Sequence, residues 1–143
     1  MSSVAPPLYV RALPAGVAAL AATELALGLW MAVSPRSFFD AIGPFGPYND
    51  HYVRDLATWY LAFGAALAVA VRRPSWRAPL LGLAVVQFGL HTVNHLIDIG
   101  DADPGWVGVF DAVTLGLTTV LLAGLFRGAR SSRRCARPGT RPR

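Results

Sequence analysis

Long apolar stretches alternate with short polar connections along most of this chain. Four of them stand out, at residues 12–33, 53–71, 78–99 and 106–126. Each approaches the ~20 residues that an α-helix needs to cross the hydrocarbon core of a bilayer. The pattern therefore predicts an all-α fold, an integral membrane four-helix bundle.

A soluble four-helix bundle rich in alanine and glycine is the alternative. A soluble helix needs a polar stripe, whereas residues 16–29 carry only Thr23 and Glu24 as polar side chains. The first stretch also differs from a secretory signal peptide, because it exceeds the usual apolar core of about 7–15 residues and contains an acid. We therefore expect a retained first span.

The connection after the first span carries helix signals of its own. Ser34 followed by Pro35 is typical of a helix start, and Gly43 with Pro44 is typical of a stop. A short helix over residues 35–42 is predicted in this first outer loop. It either lies against the outer leaflet as an interfacial helix or packs over the mouth of the bundle.

Composition and charge agree with a membrane location and predict its topology. Hydrophobic residues make up 54% of the chain and charged residues 15%. All 13 basic residues are arginine, with Arg72, Arg73 and Arg77 after span two and seven more in residues 127–143. The loop at 98–103 has none. Because positive charge favours the cytoplasmic side, we expect a multi-pass protein of the cell inner (plasma) membrane with both termini cytoplasmic.

The last residues of the chain differ in composition from the rest. We divide it into a transmembrane domain, residues 1–128, and a basic disordered cytoplasmic tail, residues 129–143, because arginine, serine, proline and glycine replace the apolar periodicity. The lipid bilayer is the first partner, and anionic lipid should attract the tail by about 1 kcal/mol per arginine. Nucleic acid is not favoured, because no aromatic residues interleave the charges.

The third apolar stretch contains the densest polar group of the chain. Its members fall within roughly a quarter turn of one helix face: Gln87, His91, Asn94, His95 and Asp98. Hydrocarbon does not tolerate such a stripe, so it must face protein or water. Toward the cytoplasm the same face continues with Ala84 and Leu80. The stripe therefore predicts a blind pocket that opens outward, and not a channel.

Each of the other spans adds an acid at comparable depth. Glu24 lies in the first span, Asp55 in the second beside Arg54, and Asp111 in the fourth. A rise of about 1.5 Å per residue places all of them in the outer half of the membrane or near its midplane. We expect them to share one pocket with the stripe. The predicted ligand or proton site is Glu24, Asp55, His91, His95 and Asp111, supported by Arg54, Gln87, Asn94 and Asp98.

Charge in this predicted pocket does not balance. Arg54 is the one fixed cation at the depth of Glu24, Asp55 and Asp111. Burying uncompensated carboxylates in a poor dielectric is costly. We therefore expect that at least one of the three is protonated near neutral pH, or that a cation lies among them.

Three uses of the cluster stay open. It can serve packing alone, it can bind a proton or a small molecule, or His91 and His95, one helical turn apart, can hold a metal ion with Glu24 or Asp111 as a further ligand. The pair is not part of an HExxH motif, and no serine or cysteine in the spans is placed as a nucleophile beside a base. No cofactor is implied, and an enzyme acting alone is not favoured.

Four short spans, cytoplasmic termini and a polar outward half resemble the DoxX-like group of small bacterial membrane proteins. The resemblance covers spans one to four and rests on architecture, without a matching catalytic motif. It implies an accessory role in the cell envelope, for example in a redox complex. We expect an accessory or structural subunit with another membrane protein or a second copy as partner. The alternatives are a carrier or sensor, and a metal-dependent redox protein.

Overall fold

The computed structural model describes residues 8–135, with side chains described for residues 12–133. Five helices follow one another: α1 (Leu8–Val33), α2 (Pro35–Ile42), α3 (Asp50–Arg72), α4 (Pro74–Ile97) and α5 (Trp106–Cys135). Within this part of the chain no strand occurs, and α1, α3, α4 and α5 are long and apolar enough to cross a membrane. The all-α prediction is confirmed.

Helices α1, α3 and α4 begin three to four residues before the predicted stretches, and α5 extends nine residues beyond its predicted end. The short helix at 35–42 is present as α2, with Pro35 at its start. In contrast, α5 continues to Cys135, so the prediction of disorder is wrong for residues 129–135. Ala129 is buried in the core, and alanine and arginine are good helix formers, which explains the extension. The rest of the predicted tail, 136–143, lies outside the described residues.

The helices pack as two pairs, α1 with α3 and α4 with α5, with fewer contacts between the pairs. Glycine allows the first pair to approach closely. A methyl group added to Gly28 would lie 3.0 Å from the backbone nitrogen of Leu61, and one added to Gly64 would lie 3.0 Å from that of Leu25. Such contacts between small residues and backbone are typical of helix pairs in membranes.

The apolar core joins the two pairs near the chain termini and the short α3–α4 connection. All four long helices contribute to it, with Val17, Leu67, Leu81 and Leu122 among its buried members. The loops at residues 43–49 and 98–105 lie at the other end of the bundle, which we call the outer end after the predicted topology.

Helix α2 closes the outer end of the α1–α3 pair. Phe38 is buried there with Met31 and Ala57, and its ring meets that of Trp30 edge-on at 5.6 Å. The Trp30 indole Nε1 donates a hydrogen bond to Ser37 Oγ over 3.2 Å. These contacts agree with the predicted packing of this helix over the bundle.

Candidate functional site

Two histidines of the predicted stripe lie in direct contact near the outer end of α4. Their rings stack at 4.7 Å between centroids with 10° between planes. The Nε2 atoms of His91 and His95 are 2.9 Å apart, a hydrogen-bond distance. One Nε2 must therefore carry a hydrogen while the other offers its lone pair.

Asp111 approaches the same pair from α5. Its residue is 8% exposed, and its Oδ2 lies 3.9 Å from Nδ1 of His95. Neither atom has a hydrogen-bond partner among the described residues. The distance is too long for a hydrogen bond but short enough for a strong charge interaction in a buried setting.

Glycine and threonine residues let α5 lie close to α4, so that Asp111 can approach His95. The Oγ1 atoms of Thr92 and Thr119 are 3.2 Å apart across the two helices. A methyl group added to Gly116 would lie 3.7 Å from the Thr92 methyl group, an ordinary contact, whereas one added to Gly108 would collide with the carbonyl oxygen of Ile99. A side chain at Gly108 would therefore push the start of α5 away from Ile99, just beyond the end of α4, and would draw Asp111 away from His95.

We call Asp111, His95 and His91 the histidine row. When both rings are neutral, only one placement of their hydrogens satisfies the contacts in this row. An ionised Asp111 favours a hydrogen on the facing Nδ1 of His95. A neutral imidazole carries one hydrogen, so Nε2 of His95 is then the acceptor. Nε2 of His91 must be the donor, and Nδ1 of His91 keeps a free lone pair. The row can accept one further proton at that lone pair without breaking the contact between the rings.

An aromatic residue from the first outer loop covers the row. The ring of Phe45 meets that of His95 edge-on, at 4.8 Å and 90°. Phe45 forms an isolated antiparallel bridge with Ala102, and the backbone N–H of Asp103 donates to the Pro44 carbonyl over 3.2 Å. The two outer loops are thus joined directly above the histidines.

A cleft of about 210 Å³ opens beside the covered row. It is lined by Phe45, His91, Asn94, His95 and Asp98. Four of these belong to the predicted stripe, and Phe45 was missed. The sequence offers one signal for it, since Phe45 stands between two Gly-Pro pairs that favour a fixed turn.

Other predicted members lie apart from this cleft. Asp55 is exposed and pairs with His51 over 3.3 Å. Arg54 pairs with Asp50 over 2.9 Å and also donates to the Ala32 carbonyl. The α3 members of the predicted pocket thus belong to the exposed start of that helix.

Two further members are buried to different degrees. Gln87 is half-buried one turn below His91 on α4. Glu24 is 2% exposed, with Ala21 and Gly28 on the same buried face of α1, as predicted. It faces Gly64 of α3, where an added methyl group would lie 3.1 Å from Cβ of Glu24. The structure therefore joins the stripe to Asp111, while Glu24 belongs to the α1–α3 pair.

Metal ligation was one use predicted for His91 and His95. Among the described residues, no group of three or more histidine, cysteine, aspartate or glutamate side chains is arranged to hold a metal ion. In the contact between the two Nε2 atoms, one nitrogen carries a hydrogen and the lone pair of the other points at it, so this lone pair is not free for a metal ion.

Comparisons of the chain with protein-family models, with curated proteins and with solved structures give no match.

Proposed function

We propose that this chain is a four-span inner-membrane protein that binds a proton at an outward-facing site formed by Asp111, His95 and His91. It serves as an accessory subunit of the cell envelope, as the DoxX-like resemblance implies, with a sensing role for the site. Both termini lie in the cytoplasm, where the arginine tail meets anionic lipid. A second membrane protein or a second copy of the chain is the partner.

Support for the membrane location comes from the outward faces of α4 and α5. Large apolar side chains are exposed along both helices, in positions where water would be unfavourable: Leu90, Val93, Ile97, Phe110, Leu117 and Leu121. At the helix ends, Tyr52, Trp76 and Trp106 are also exposed. Amphipathic rings at such positions are typical of the headgroup region.

The proton-binding proposal rests on two buried polar atoms of the row that have no hydrogen-bond partner among the described residues. A cluster that served packing alone would be expected to pair its buried polar atoms. Here Asp111 Oδ2 and His95 Nδ1 face each other at 3.9 Å without a hydrogen-bond partner among the described residues. Each such atom costs about 1–3 kcal/mol when left unsatisfied. A proton that enters the row increases the attraction between the imidazole and the carboxylate.

Binding of a small polar ligand in the cleft is a second candidate function. Its volume of about 210 Å³ is that of roughly seven water molecules at bulk density. Asn94 and Asp98 offer hydrogen-bonding groups at its wall. A ligand of this size would contact His91 and would be coupled to the protonation of the row.

Replacement of His91 distinguishes binding from packing. We expect His91→Leu to keep a melting temperature in detergent close to that of the wild type, because removing a half-buried polar group offsets the hydrogen bond that His95 loses. Gln87→Leu, one turn away on the same half-buried face, is the matched control. A large loss of stability confined to His91→Leu would show that the row serves packing, and the proposal would then fail.

A further inference from the structure

A second buried acid lies outside the site described above. Glu24, near the middle of α1, is 2% exposed, and its Oε1 has no hydrogen-bond partner among the described residues. The proposed function makes no use of it. An acid enclosed in this way requires either a cation or a proton, and the interface around it decides between them.

The interface between α1 and α3 is tightly packed at Glu24, which favours a proton over a larger cation. A methyl group on Gly64 would lie 3.1 Å from Cβ of Glu24 and 2.8 Å from Cγ of Leu25. One turn earlier along α3, Tyr60 packs against Gly28 at a similarly short distance. Glycine on each helix thus brings the backbones together on both sides of Glu24.

Among the side chains that the structure describes, no charged group compensates the acid. Every ion pair found among the described residues joins other side chains, and all of these pairs lie in the outer segments or between α4 and α5. Tyr60 is the titratable side chain that faces Glu24 from α3. From α2, α4 and α5 no titratable or charged side chain within the described part of the chain acts on it. An ionised carboxylate here would carry the full desolvation penalty of an unpaired charge.

We propose that Glu24 is a second proton-binding site, independent of the histidine row, which is occupied when α1 and α3 are packed together. The neutral acid fits the closed interface. Loss of its proton creates a charge that the interface cannot solvate, so ionisation requires α1 and α3 to separate enough to admit water. Proton occupancy of Glu24 and closure of this helix pair are therefore linked.

Isotope labelling tests this directly, because Glu24 is the only glutamate of the chain. Uniform incorporation of ¹³C-carboxyl glutamate gives the wild-type protein a single labelled carboxyl group, without any substitution. In lipid nanodiscs near neutral pH, infrared and NMR spectra should show the protonated acid. An ionised carboxylate at neutral and mildly acidic pH would overturn the proposal.

Stability provides the second readout. Glu24→Gln keeps the shape and stays neutral at every pH, so its melting temperature should not follow the pH at which the labelled acid ionises. The wild-type protein should lose stability relative to Glu24→Gln as pH rises, because the closed interface holds the protonated form. Parallel pH profiles for the two proteins would contradict the link to helix packing.

His91→Leu separates this inference from the proposed function. The substitution removes one end of the histidine row and should leave the signal of the labelled Glu24 carboxyl unchanged. A shift of the Glu24 titration in His91→Leu would show that the two sites form one system, and independence would be wrong. If the histidine row proves not to bind a proton, the labelled Glu24 carboxyl should still show the protonated acid.

Discussion

Asp111 Oδ2 faces His95 Nδ1 across 3.9 Å between α5 and α4, and both atoms are buried without a hydrogen-bond partner among the described residues. On its other side, His95 touches His91 through Nε2 at 2.9 Å. The imidazole of His95 thus connects a carboxylate to a second imidazole. This geometry lets Asp111 select the hydrogen positions of both rings.

Phe45 should control the access of water and reagents to this row. Phe45→Ala removes the ring that covers His95, so diethyl pyrocarbonate should modify His95 several-fold faster, as measured by mass spectrometry of the modified peptide. Phe39→Ala is the control, because Phe39 also belongs to the outer segment but packs against Tyr48 at 5.2 Å. Equal rates of His95 modification in the two variants would mean that Phe45 is not a cover.

Arg77 should stabilise the α3–α4 connection through hydrogen bonds and not through charge alone. Its Nε and terminal nitrogen donate to the carbonyls of Ala70 and Val71, at 3.0 and 2.6 Å, where the end of α3 leaves carbonyls without helical partners. Arg77→Ala should lower the free energy of unfolding by about 1.5–3 kcal/mol.

Arg73 is the matched control for this prediction. It lies four residues earlier with an exposed side chain, and Arg73→Ala removes the same charge from the same connection. Thermal unfolding in detergent should show little change for Arg73→Ala. If both variants lose similar stability, the loss comes from charge and the hydrogen bonds of Arg77 contribute little.

The proposed topology predicts which positions a membrane-impermeant maleimide can reach in intact cells. Cys135, the single cysteine, should stay unlabelled because it lies on the cytoplasmic side. In a Cys135→Ser background, Asp101→Cys in the exposed third loop should be labelled. Labelling of Cys135 with protection of residue 101 would reverse the orientation and remove the histidine row from the outer half.

Hydropathy and local capping signals predicted the helices well because span length and turn chemistry are properties of short segments. Residues 35–42, for example, form the expected helix. Arg77 shows the limit of such reasoning, since its contribution to topology was predicted from charge but its bonds to the end of α3 depend on the angle between two helices.

The composition of the site was harder to predict, since it depends on which helices pair most closely. Depth alone placed Glu24 beside the histidines. The close contacts at Gly28 and Gly64 instead bind α1 to α3 and enclose Glu24 there. Asp111 does reach His95, because small residues let α5 approach α4. The sequence shows that Gly64 and Gly116 are small residues, but it does not show which helix packs against each of them.

The most direct test of the central claim counts the protons that His91 and His95 bind. The chain has 3 histidines, so His51→Gln leaves only this pair for ¹⁵N NMR in lipid nanodiscs. While the contact at 2.9 Å between the two Nε2 atoms persists, both cannot carry a hydrogen. The pair should therefore gain one proton on acidification, and at alkaline pH His95 should carry its hydrogen on Nδ1 and His91 on Nε2.

Further replacement of one histidine provides the control for this count. In the His51→Gln background, His91→Leu or His95→Leu should still gain one proton, because the remaining ring is free to take it, and the double variant should gain none. The intact pair and either single histidine should therefore bind the same number of protons. Two protons taken up independently by the intact pair, or the same hydrogen position on both rings at alkaline pH, would contradict it.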